Sequence, residues 1–67
     1  MSPHQQRVVD EKVALDTKLA ALTKFMFTPL CFNLPLDERS LLKQQGDVMR
    51  EYSALLEKRI ALFEVAA

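Results

Sequence analysis

LDERSLLKQQGDVMREYSALLEKRIALF, residues 36–63, is the stretch that decides the fold. Leu42, Met49, Leu56 and Phe63 recur every seven residues, and so do Leu41, Val48, Leu55 and Leu62. A seven-residue apolar repeat is the signature of helices packed side by side. Pro35 precedes the stretch and suits the first turn of a helix, Asn33 offers a cap, and Asp37 and Glu38 favour the positive end of the helix dipole. The spacing therefore predicts a helix over about 36–63.

One apolar seam suffices to pack against one partner helix. Two adjacent seams make a wider face, which reads either as a widened core or as a subunit interface. The partner lies upstream. Ser2-Pro3 is a helix start, because serine caps free backbone donors and proline suits the first helical position. Val8, Leu15, Leu19, Leu22 and Met26 then line one face of a helix running over about 3–27. Val9, Val13, Ala20 and Phe27 form a second stripe to one side. Pro29 and Pro35 bracket a connecting loop over 28–35, in which Leu30, Phe32 and Leu34 are expected to plug the end of the core. The fold class is all-α, a single domain over 1–67 built as an antiparallel two-helix hairpin.

Such a hairpin has few means of stabilising itself. A chain of 67 residues buries a small fraction of its surface. Small scaffolds ordinarily add disulfides, a metal or partner subunits. Cys31 is the only cysteine and His4 the only histidine, so neither an internal disulfide nor a four-ligand zinc site can form. The remaining support is self-association, and a homo-oligomer is expected.

Composition excludes other classes. At 49% hydrophobic residues the chain is not a disordered polymer. Nine basic and nine acidic residues cancel, which argues against both a duplex-binding face and an acidic nucleic-acid mimic. No apolar run approaches the ~18 residues of a membrane span, and the first residues carry no export-type apolar stretch. With a lone thiol, this suggests a reducing cytoplasm. No catalytic triad spacing, glycine-rich phosphate loop or metal motif is present, so neither an enzyme nor a cofactor is expected.

The informative residues are polar ones inside apolar faces. At ~100° per residue, Arg59 lies within ~60° of Tyr52, Leu55, Leu56 and Phe63, and Gln45 shares that stripe. If Phe27 faces Leu36, then Arg59 falls opposite His4 and near Arg7, while Tyr52 falls opposite Glu11. Arg59, Arg7, His4 and the amide donors of the first helix would together attract phosphate. Arg59 reads equally as an ion-pair partner for a carboxylate such as Glu11 of a neighbouring subunit. Lys18 and Lys24 read as solvated, or as part of a site where two hairpins meet.

The ordered set His4-Gln5-Gln6-Arg7-Val8-Val9-Asp10-Glu11-Lys12, Leu15-Asp16, Lys18-Leu19, Leu22-Thr23-Lys24-Phe25, Leu34-Pro35, Glu38, Leu41-Leu42, Gln45, Met49, Tyr52-Ser53, Leu56 and Arg59-Ile60 resembles the phage helical-hairpin sponges of the anti-CBASS and anti-Thoeris type, also called crAss-like phage related proteins. The resemblance covers nearly the whole chain. It implies a homo-oligomer, often a hexamer, in the host cytoplasm that binds cyclic dinucleotides or cyclic trinucleotides between protomers and sequesters them without cleavage. By the same resemblance Arg59 contacts phosphate and Thr23 joins it in a trinucleotide pocket. Ala21 stands where a lysine of the dinucleotide pocket would align, leaving Lys18 or Lys24 to supply charge and His4 to stack. An oligomeric coiled-coil adaptor for a protein partner is the alternative reading.

Overall fold

In the computed structural model, which describes residues 1–65, the sequence signals become three helices: α1 (Pro3–Met26), α2 (Pro29–Phe32) and α3 (Leu36–Val65). The chain is all-helical among the described residues. Ser2 caps α1 as expected. Its Oγ accepts from the Gln5 N–H at 3.2 Å, and the Gln5 side chain accepts from the Ser2 N–H at 3.0 Å. This reciprocal pair satisfies donors that a helix start otherwise leaves open.

The connecting segment differs from expectation in two respects. Residues 28–35 are not simply a loop, because Thr28-Pro29 starts a turn of helix. The Thr28 hydroxyl accepts from the Cys31 N–H at 3.3 Å, and Pro29 needs no amide donor in the first position. Asn33 then closes α2 instead of capping α3, its N–H donating to the Pro29 carbonyl at 3.1 Å. At the start of α3, Asp37 accepts from the Glu38 N–H at 2.9 Å. The second difference concerns what fills the end of the core. Leu30 and Phe32 are exposed and Leu34 is half-buried, whereas Cys31 is buried. The helical turn rotates Cys31 inward and its two apolar neighbours outward.

The two long helices pack along each other with opposite chain directions: Glu11 meets Tyr52, while Leu22, further along α1, lies beside the earlier residue Gly46. The apolar face of α1 turns toward α3, with Val8 buried and Leu15, Leu19, Leu22 and Met26 half-buried. On α3 the facing row is Leu42, Gly46, Met49, Ser53, Leu56, Ile60 and Phe63, every one buried or half-buried. Its spacing alternates four and three residues, the rhythm of a coiled-coil seam.

The core is thin. Val8, Cys31 and Leu56 are the only buried hydrophobic residues among the described residues. The accessible surface is 5274 Å², against about 4,300 Å² for a compact monomer of this mass. The radius of gyration is 15.3 Å, where a compact chain of this length has about 11 Å. Elongation and uncovered surface have one cause, which is that two helices cannot enclose each other.

Gly46 faces α1. A Cβ added there would meet Leu22 Cδ2 at 3.7 Å and Arg50 Nη1 at 3.4 Å, both ordinary contacts. Gly46→Ala is therefore expected to raise stability by about 1 kcal/mol through helix propensity, read as a higher urea midpoint at fixed protein concentration. A lower midpoint would mean that the helices approach more closely in an assembly.

Candidate functional site

The second seam of α3 stands uncovered. Leu41, Val48, Leu55 and Leu62 are between 57% and 64% exposed. Between them on the same face lie Gln45, Tyr52 and Arg59, also exposed. Together these seven residues repeat the alternating four-and-three spacing of the buried row, one residue out of phase. The helix thus carries two complete seams about 100° apart. One is covered by α1. The other alternates an apolar rung with a polar one, and polar rungs in such seams set pairing register and oligomer number. Val13 and Phe27, from the side stripe of α1, are exposed as well.

The expected pairing of Tyr52 with Glu11 is present: the phenol donates a hydrogen bond to the Glu11 carboxylate. That bond raises the tyrosine pKa above its ordinary value, with partial desolvation adding to the effect and the positive charge of Arg59 opposing it. Arg59 is thus close enough to Tyr52 for its charge to be felt at the ring hydroxyl.

Arg59, Arg7 and His4 are exposed and make no salt bridge among the described residues. The amide donors of α1 are less open than the sequence suggested, because the Ser2–Gln5 capping box and the Ser2 carbonyl, which accepts from the Gln6 N–H at 2.9 Å, occupy that end. Lys18 and Lys24 are exposed on α1. Thr23 is half-buried and sits beside Leu22, the residue level with Gly46. Gly46 precedes Arg59 by thirteen residues, or about 20 Å of helix axis. A single chain therefore does not bring Thr23 and Arg59 together.

A polar cluster that the sequence reading missed lies between the helices. Lys12 Nζ donates to Asp16 at 2.7 Å and to the Ser53 hydroxyl at 3.2 Å, while Ser53 donates to the other Asp16 oxygen. The Lys12 hydrogen bond, followed by that of Ser53, holds the Asp16 carboxyl below its ordinary pKa. Asp16 in turn raises Lys12. The trio ties α1 to α3 through side-chain hydrogen bonds that cross between the helices. Its visible signals were the four-residue Lys12–Asp16 spacing and the seven-residue row Gly46, Ser53, Ile60. Among the described residues, no helix is long and apolar enough to cross a membrane.

Comparison with known proteins places these features in a family. The family model Sequestin matches residues 2–62, so this chain belongs to the Sequestin family. It is 38% identical over 64 residues to the uncharacterized 7.5 kDa protein of the denB–rIIB intergenic region of Enterobacteria phage T4, an alignment covering 96% of this chain and 100% of that protein. No solved structure matches.

Proposed function

We propose that this Sequestin-family chain is a phage immune-evasion protein that binds cyclic oligonucleotide signals and sequesters them without cleavage, blocking CBASS-type defence in the host cytoplasm. The ligands are cyclic dinucleotides and cyclic trinucleotides. The working unit is a homo-oligomer of antiparallel hairpins, each a single domain over 1–67, with a hexamer as the expected size. Support comes from the family name, which denotes sequestration, from the phage source of the T4 relative, and from the resemblance of the residue pattern to cyclic-nucleotide sponges.

One structural observation carries the reading: Arg59 lies exposed in the uncovered seam of α3, without a carboxylate partner among the described residues. Pairing that seam with a second copy covers its leucines and places the guanidinium at a protomer boundary. There it is available for bidentate contact with a phosphate. Thr23, about 20 Å away along the axis, reaches the same ligand only from another protomer. His4, Arg7, Lys18 and Lys24 are the accessory positions, with His4 offering a ring to stack on a base. Sequestration needs no reacting group, only tight binding between subunits.

Calorimetric titration of the purified chain with cyclic di- and trinucleotides and cyclic ADP-ribose isomers tests this. Tight binding with fewer ligands than subunits is expected, and intact ligand should be recovered after denaturation. Degraded ligand would indicate an enzyme. An exposed apolar seam also suits a coiled-coil adaptor that binds a helical partner. That second reading takes first place if no compound in the panel binds and the purified chain stays monomeric with its seam free.

A further inference from the structure

The cations at the N-terminal end of α1 lie beside carboxylates with which they do not pair. Asp10 and Glu11 stand within two turns of His4 and Arg7 on the same helix, and Arg7 precedes Glu11 by four residues, the spacing at which opposite charges ordinarily meet. Arg59 follows Tyr52 by seven residues, about 10 Å along α3. Side chains on a helix lean toward its N-terminus. Because α1 and α3 run in opposite directions, Arg59 leans toward Tyr52 while Glu11 leans toward Arg59. Both carboxylates are nevertheless engaged by neutral donors. Gln6 Nε2 donates to Asp10 at 2.9 Å, and the Tyr52 hydroxyl donates to Glu11.

We propose that Tyr52 is a positioning residue for the anion site: its hydroxyl engages Glu11 and keeps that carboxylate from neutralising Arg59 and Arg7, leaving both guanidinium groups available to phosphate. This rests on the reading of Arg59 as the phosphate contact. A tyrosine suits the task because it satisfies a carboxylate with one neutral bond, whereas a lysine in its place would add a competing cation and a phenylalanine would release the acid. The polar rung at residue 52 thereby joins the assembly seam to the chemistry of the ligand.

The test uses the full chain titrated with cyclic triadenosine monophosphate. The proteins compared are the parent, Arg59→Ala, Tyr52→Phe and Tyr52→Phe/Glu11→Gln. Tyr52→Phe keeps the ring and is expected to weaken binding about fivefold, the scale of one competing surface ion pair. Adding Glu11→Gln should restore the parent affinity. Unchanged affinity in Tyr52→Phe overturns the proposal. So does a loss that Glu11→Gln does not rescue, since the hydroxyl would then touch ligand or fold directly. If Arg59→Ala binds as tightly as the parent, or if nothing binds, the reading of Arg59 fails and the positioning role is decided without ligand. Arginine side-chain NMR should then show slowed guanidinium rotation at Arg59 or Arg7 in Tyr52→Phe, abolished by Glu11→Gln. Equal rotation in all three proteins overturns it.

Discussion

Replacing Arg59 with alanine is expected to lower affinity for a cyclic trinucleotide by about thirtyfold to several thousandfold, the range for removing one partner of a desolvated charge pair. The size of the effect follows from where the guanidinium sits. In the free chain Arg59 is exposed, but in the proposed assembly a second copy would cover Leu55 and Leu62 and place its charge at a boundary from which water is largely excluded. Removing it then leaves a phosphate oxygen without a donor. Arg59→Lys should recover only part of the affinity, because an ammonium keeps the charge and loses the two-pronged geometry. Thr23→Val should be milder, costing one neutral hydrogen bond. Circular dichroism and sedimentation must show each variant folded and assembled as the parent. A folded, assembled Arg59→Ala with parent affinity would remove Arg59 from the site.

The second large effect separates two neighbouring leucines. Leu56 is 1% exposed and Leu55 is 57% exposed. Leu56→Ala empties the centre of the contact between α1 and α3 and is expected to cost about 2–5 kcal/mol. In a chain this small that is a large share of the total stability. Its urea midpoint should fall far below that of the parent, with secondary structure lost at lower denaturant. Leu55→Glu should leave the helices intact and instead break the assembly, because it places a charge in the seam proposed to meet another copy. Sedimentation should then report a smaller species with an unchanged helical spectrum. An unchanged species would show that this seam is not a subunit interface. If Leu56→Ala were as stable as the parent, the packing of α1 on α3 would not support the fold.

Much of the arrangement was legible because it depends on local signals and periodicity. Ser2-Pro3 marked the start of α1, Pro29 marked its end, and the seven-residue repeats marked the long second helix. The expected pairing of Tyr52 with Glu11 also holds, since two straight helices joined by a short connection have few ways to align. The connecting segment departs from the expected loop. Thr28-Pro29 carries the same cap-and-proline signal as Ser2-Pro3, yet it lies in a stretch of eight residues too short to read by period. Its helical turn reversed which side chains faced inward, burying Cys31 and leaving Leu30 and Phe32 outside. The link from Lys12 and Asp16 to Ser53 was illegible for a different reason. A serine in a seam does not announce its partner until the rotation of both helices is known.

Sequence alone determined that this chain is helical, that α3 carries two seams, and that Arg59 belongs to an apolar stripe. Those properties are periodicities, and a helix turns a periodicity directly into a face. Which seam α1 covers was decided only by tertiary packing. Two rows one residue apart are nearly equivalent as sequences, but only the row containing Gly46 and Ser53 has small side chains that let α1 approach. The bulkier row of Leu41, Val48, Leu55 and Leu62, together with Gln45, Tyr52 and Arg59, is left facing outward.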